Sequence, residues 1–83
     1  MDQARDQIKK KIVELARQLG HNAAALGFDD EIPASGLLDS PALLELVFWF
    51  ENEFGVEIEQ DDLNLENFGT INAMAGYLQR GRI

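Results

Sequence analysis

The 83-residue sequence contains no cysteine. This absence excludes both a disulfide framework and a thiolate metal site. Any thiol chemistry in which the protein takes part therefore needs a thiol that is brought in from outside the chain. The sequence also has a single histidine, His21, with no second histidine or cysteine to complete a zinc site. We predict no metal site and expect His21 to lie at the surface.

Long hydrophobic runs and basic residues are scarce too. No apolar run approaches the ~20 residues of a membrane-spanning helix, and the N-terminal segment lacks the apolar core of a signal peptide. We therefore expect a cytoplasmic protein without membrane insertion. Seven Lys and Arg residues are outnumbered by 15 Asp and Glu residues, for a formal net charge of −8. This charge disfavours nucleic acid and favours a basic protein surface as partner, although high solubility alone would explain it equally well.

The chain does have enough apolar sequence for one small core. Apolar residues make up 46% of it, which is typical of a packed globular domain. A chain of this length buries only about 60% of its unfolded surface, so the core has to be compact. We expect a single domain spanning residues 1–83, and a monomer.

Hydrophobic spacing predicts an all-α fold, a four-helix bundle with a long loop between its first and second helices. The first helix is predicted over about Gln3–Leu19 and ends at Gly20. The loop, residues 21–39, is rich in turn-forming residues and has at most one helical turn, at NAAAL. The expected core face of the first helix comprises Ile8, Ile12, Leu15 and Leu19. The loop is expected to be held on the core by Leu26, Phe28, Ile32, Leu37 and Leu38.

The second helix is the clearest prediction. Ser40 is a favoured N-cap residue, and Pro41 suits the first helical position, where its missing N–H costs nothing. Gly55 is expected to end this helix. The apolar residues of its predicted core face are Leu43, Leu46, Val47, Phe50 and Phe54.

The rest of the chain predicts shorter elements. Val56 and Ile58 form a short extended pair, a brief helical turn follows in QDDLNLENF, and Thr70 caps a last helix that ends near Gly81. Leu63, Leu65 and Phe68 are expected to point inward. The buried face of the last helix is predicted to comprise Ile71, Met74, Ala75 and Leu78.

The position of Ser40 allows two interpretations. An N-cap serine most often only caps its helix, a contribution of about 1 kcal/mol. The alternative is a site that carries a phosphate, because Ser40 ends a long loop, Asp39 beside it could orient an incoming group, and a helix N-terminus attracts phosphate. A Ser-His-Asp hydrolase is disfavoured, since His21 would have to reach Ser40 in a chain too small for an oxyanion hole and a substrate pocket together.

The residues around Ser40 carry a family resemblance. The stretch GLLDSPALLELVFWFENEFGVEIEQDDL, followed by FGTINAMAGYL, resembles the acyl carrier protein family. The shared pattern is Asp-Ser at the start of the second helix, an acidic and apolar helix, a short extended Val-x-Ile and a last helix capped by Thr. The resemblance runs along essentially the whole chain and is densest from Gly36 to Ile58.

The resemblance implies that Ser40 carries covalent 4′-phosphopantetheine, transferred from coenzyme A by a phosphopantetheinyl transferase. It implies that Asp39 supports this attachment through the metal of the transferase. A fatty acyl, polyketide, aminoacyl or other acyl cargo would then be held as a thioester on the terminal thiol, and the chain itself would be a carrier and not an enzyme. Its other partners would be an acyl- or aminoacyl-loading ligase and downstream acyltransferase or synthase enzymes with basic docking surfaces.

Two positions depart from the family pattern. The family usually has Leu after the serine, where this chain has Pro41, and the next position, frequently acidic in fatty-acid carriers, is Ala42. Both changes weaken an assignment to fatty-acid synthesis and leave the attachment chemistry untouched. The bulk of Phe48 and Trp49 is expected to crowd the core, which favours a short or aminoacyl cargo.

At 100° per residue, Leu44 and Phe48 lie on one flank of the second helix and Trp49 lies on the other. We expect Leu44 and Phe48 to be partly exposed as an apolar docking strip, with Glu45 and Glu51 among the acidic residues that attract a basic partner. Trp49 is expected to pack on the core. The alternative is an unmodified helical interaction module that binds its partners through Leu44, Phe48 and Trp49.

Overall fold

A computed structural model describes residues 2–81 of the protein. Those residues form helices and no strand, which confirms the predicted all-α class. None of these helices is both long enough and apolar enough to cross a membrane. The α-helices are α1 (Asp2–Gln18), α2 (Ile32–Ser35), α3 (Ser40–Phe54), α4 (Leu65–Phe68) and α5 (Ile71–Gly81), and Gln60–Asp62 form a 3-10 turn.

Helix α1 ends one residue before the predicted boundary. Ile8, Ile12 and Leu15 are buried, as their spacing predicts. Leu19 was expected to share their face, but its side chain is 40% exposed. The reason is that the helix ends at Gln18 and the chain turns away at Gly20.

The connection between α1 and α3 is held on the core, as predicted. Leu26, Ile32 and Leu38 are buried, and Phe28 and Leu37 are half-buried. The helical turn considered at NAAAL is a plain turn, and a helix forms further along as α2.

Asn72, in the first turn of α5, ties this connection to the rest of the fold. Its backbone N–H donates to the Phe28 carbonyl at 3.0 Å, and its side-chain amide donates to Asp29 at 2.6 Å. Its side-chain oxygen accepts a hydrogen bond of 2.6 Å from Arg5 of α1. One side chain therefore links α1, the connection and α5.

Helix α3 packs its predicted face on α1 and on an aromatic cluster. Leu46 and Phe50 are buried, whereas Leu43, Val47 and Phe54 are half-buried. The Phe50 ring meets Phe54 and Phe68 edge-on, with ring centroids 5.1 and 5.5 Å apart. The helix ends as predicted at Gly55, whose φ of +64° lies in the left-handed region that other residues rarely adopt.

The segment between α3 and α5 departs most from the prediction. Val56 and Ile58 are half-buried without forming a strand, and Phe68 packs inward as expected. The inward orientation predicted for Leu63 and Leu65 is wrong, because these side chains are 42% and 67% exposed. The 3-10 turn and a new helix start, capped by Asn64, interrupt the single helical spacing on which that prediction depended.

The last helix follows the prediction closely. Thr70 Oγ1 accepts a hydrogen bond of 3.0 Å from the Ala73 N–H, which caps α5. Helix α5 packs against α1 and α4, and its apolar face completes the core between them. All four residues of the predicted face are buried: Ile71, Met74, Ala75 and Leu78.

Candidate functional site

Ser40 is the first residue of α3 and is exposed to solvent. The sequence predicted Ser40 as the N-cap, and this is wrong. Asp39 is the N-cap, because its backbone is extended and its carboxylate Oδ1 accepts a hydrogen bond of 2.9 Å from the Ala42 N–H. Pro41 therefore lies within the first turn, one position later than predicted.

With Asp39 as the cap, the Ser40 hydroxyl has no hydrogen-bond partner among residues 2–81. The chain has four hydroxyl side chains, and the other three are engaged. Ser35 donates to a backbone carbonyl at 2.6 Å, Thr70 accepts from a backbone N–H at 3.0 Å, and Tyr77 donates to Asp62 at 3.0 Å. Within residues 2–81, Ser40 alone has a hydroxyl that makes no hydrogen bond. Ser40 is also exposed to solvent.

One flank of α3 beside Ser40 is apolar and exposed. Leu44 and Phe48 are 50% and 58% exposed, as expected from their helical positions. Glu45, which follows Leu44 in the helix, is exposed as well. Glu51 differs from Glu45, because its carboxylate accepts a hydrogen bond of 2.8 Å from the Ile58 N–H and so holds the chain that leaves α3.

Trp49 lies on the opposite flank, towards α1. It is half-buried, and its ring meets Phe54 edge-on at 5.7 Å. A cleft of about 160 Å³ that Trp49 lines also includes Lys10 and Lys11 of α1. Trp49 and Leu44 therefore line different cavities.

An open apolar cavity of about 260 Å³ lies beside α3. Of the two residues expected to crowd the core, Trp49 packs against it and Phe48 is 58% exposed, and neither lines this cavity. The sequence missed the cavity, since Leu63 and Leu65 were predicted to fill the core and instead lie on the cavity wall. Its lining comprises Pro33, Leu43, Leu44, Leu46, Val47, Leu63, Asn64, Leu65, Phe68 and Met74.

The other polar residues considered from the sequence are not brought together. His21 is exposed, as predicted. Between residues 2 and 81 there is no group of three or more His, Asp and Glu side chains placed to hold a metal ion.

Comparison with known families identifies a family to which the chain is similar. The family model described as the phosphopantetheine attachment site matches residues 12–78, which is most of the chain. The match includes the start of α3, the exposed flank and the apolar cavity. A search of curated proteins found no match.

Proposed function

The chain belongs to the phosphopantetheine attachment site family, and from this premise we propose that it is a non-catalytic carrier whose arm is attached to Ser40. The prosthetic group of this family is covalent 4′-phosphopantetheine. When bound, the group supplies the thiol that the chain lacks and holds an acyl or aminoacyl cargo as a thioester. The four-helix carrier arrangement, with α2 as part of the long connection, belongs to the same proposal.

The free hydroxyl of Ser40 is the observation that carries the assignment. Attachment forms a bond between Ser40 Oγ and the pantetheine-bearing phosphorus of coenzyme A. The phosphoanhydride bond breaks, the adenosine 3′,5′-bisphosphate portion leaves, and the hydroxyl proton passes to a base. An exposed hydroxyl at the tip of a helix suits this reaction, since nothing within residues 2–81 has to be displaced from it.

Asp39 has two roles in this proposal. Its Oδ1 caps α3, which fixes the backbone that presents Ser40. Its carboxylate is exposed beside the hydroxyl, so it can also face the metal of a phosphopantetheinyl transferase. We expect Asp39→Ala to slow modification without unfolding the protein. Modification at the normal rate would remove Asp39 from the attachment reaction.

We assign partner docking to the flank of α3 beside Ser40. Leu44 and Phe48 offer apolar contact, and Glu45 offers an exposed negative charge to a basic surface. Glu51 adds charge nearby while it also bonds to Ile58. The proposed partners are the transferase, an acyl- or aminoacyl-loading ligase, and acyltransferase or synthase enzymes that receive the cargo, with the carrier itself as a cytoplasmic monomer.

The rival proposal is an unmodified interaction module that uses Leu44, Phe48 and Trp49 together. The geometry gives it less support, because Trp49 lines a cleft with residues of α1, whereas Leu44 lines the cavity with residues of α2 and α4. A hydrolase has still less support, since the Ser40 hydroxyl has no histidine partner among residues 2–81.

The intact mass of the protein tests the carrier proposal. The purified chain is incubated with coenzyme A and a promiscuous phosphopantetheinyl transferase. We expect a mass gain of one phosphopantetheine that is lost in Ser40→Ala. Ser35→Ala is the matched control, because Ser35 is the other serine, is also exposed, and already uses its hydroxyl in hydrogen bonds.

Both variants and a known carrier are treated in parallel. If the known carrier is modified and this chain is not, the interaction module becomes the better proposal. A mass gain that persists in Ser40→Ala and disappears in Ser35→Ala would move the attachment site to Ser35.

A further inference from the structure

Two of the three positions that follow the cap of α3 have no N–H that is free to bind an anion. The Ala42 N–H is bonded to the Asp39 carboxylate at 2.9 Å, and the Leu43 N–H is bonded to the Asp39 carbonyl at 2.9 Å. Pro41 has no N–H. The four donors without an intrahelical partner at this helix start fall at Asp39, Ser40, Pro41 and Ala42. Of these, only Asp39 and Ser40 keep an unpaired N–H within residues 2–81.

The negative charge of the Asp39 carboxylate also disfavours a phosphodiester at the N-terminus of α3. A phosphodiester on Ser40 would carry a negative charge immediately beside the Asp39 carboxylate. To bond to the Ala42 N–H it would have to displace that carboxylate, which is held next to the N–H by the backbone. The attraction of the helix N-terminus for anions is thus already satisfied by Asp39.

We propose that Asp39 and Pro41 are positioning residues that keep the phosphodiester of the prosthetic arm off the N-terminus of α3. This inference rests on the proposed attachment at Ser40. In it, Asp39 occupies one donor of the first turn and Pro41 removes another. After the cap residue, the phosphodiester is left with only the Ser40 N–H in the first turn, so the arm pivots freely at its root. The N-terminus of α3 therefore does not bind this phosphate through its first-turn N–H groups in the way that helix N-termini commonly do.

The test compares the modified and unmodified forms of each variant by amide NMR and by thermal unfolding. In the native sequence, modification should leave the Tm unchanged and should shift the Ala42 amide proton less than it does in Asp39→Ala. Asp39→Ala opens the Ala42 N–H. Loss of the cap should lower the Tm of the unmodified form by about 4–8 °C. Modification should then restore most of that loss and shift the Ala42 amide, because the phosphodiester replaces the missing cap.

Asp39→Asn is the matched control, since asparagine caps a helix as well as aspartate does. It keeps the cap and removes the carboxylate charge, so its Ala42 amide should shift less on modification than that of Asp39→Ala. An equal shift in the two variants would overturn the proposal, because the occupied donor would then not keep the phosphodiester away. A merely structural role of Asp39 would lower the Tm of Asp39→Ala equally in both forms, and that result would overturn the proposal.

Pro41→Ala is a second variant, in which Asp39 is unchanged and can still support modification. It restores an N–H at position 41, and the resonance of this amide should shift downfield when the arm is attached. An unshifted amide at position 41 would mean that the phosphodiester does not approach the helix even when a donor is open, and would remove Pro41 from the proposal.

Two failures are distinguishable in this experiment. If no variant gains mass, the attachment proposal and this inference fall together. If the native chain gains mass on Ser40 and its Ala42 amide shifts as it does in Asp39→Ala, the carrier proposal stands and this inference is overturned.

Discussion

Phe48 and Phe50 are two residues apart on α3 and should respond oppositely to one substitution, Phe→Leu. Phe50 is fully buried and meets two rings edge-on, whereas Phe48 is 58% exposed. Each edge-to-face aromatic pair contributes roughly 0.5–1.5 kcal/mol beyond its buried area. Phe50→Leu should therefore lower the free energy of unfolding by about 1–3 kcal/mol, out of roughly 4–12 kcal/mol for a domain of this length. Phe48→Leu should change it by about 0.5 kcal/mol or less.

Urea unfolding followed by the fluorescence of Trp49, the only tryptophan, measures both values. The midpoint should fall in Phe50→Leu with little change in the slope. The rate of cargo transfer to a partner enzyme should be affected in the opposite way. Phe48→Leu should lower this rate, whereas the folded fraction of Phe50→Leu should transfer cargo at close to the native rate. Equal destabilisation by the two substitutions would refute the division of α3 into a core face and a docking flank.

Three further predictions follow from other parts of the structure. Gly55→Ala should destabilise the fold by about 1 kcal/mol, because φ is +64° at that position. Gly76→Ala should instead stabilise it by about 0.5–1 kcal/mol, because Gly76 lies inside α5 and a Cβ there would meet open space. Urea unfolding measures both changes. Burial, together with the hydrogen bond to Asp62, raises the pKa of Tyr77 above 10.0. As the pH rises, the unfolded chain therefore releases the Tyr77 proton before the folded chain does, so the free energy of unfolding should fall as the pH rises through the folded pKa of Tyr77. Urea unfolding at neutral and at strongly alkaline pH measures this fall. Tyr77→Phe should remove the part of the fall that is due to Tyr77. Glu45→Lys should slow association with a basic partner enzyme and weaken the salt dependence of the association rate, both measured by stopped flow. Asp6→Lys, which makes the same charge change on α1, should have a smaller effect. Equal effects of the two variants would show that net charge and not the α3 flank guides docking.

Much of the fold could be predicted because its information is local. The spacing of Ile8, Ile12 and Leu15 places them on one side of any helix they form, and the same holds for the apolar face of α5. Candidate end points such as Gly55 and Thr70 act through their own backbone or through a neighbour three residues away. These features needed no knowledge of the rest of the chain.

The candidate site was predicted in part for the same reason. The Asp-Ser pair, the helix that follows and the flank formed by Leu44 and Phe48 are all local patterns. The cap was assigned to the wrong residue, since Ser40 and Asp39 are both favoured N-caps. Only the backbone of the folded chain decides whose side chain reaches the Ala42 N–H, and that choice leaves the Ser40 hydroxyl free.

The sequence by itself determined the helical class, the buried faces of α1, α3 and α5, and the one serine that deserved testing. The tertiary structure decided which hydroxyl is unpaired, that Leu63 and Leu65 border a cavity, and that Asn72 joins α1 to the long connection. Helical spacing and capping act over a few residues, so they can be read along the chain. Hydrogen bonds and cavities between distant segments depend on where those segments meet, and that is settled only when the whole core packs.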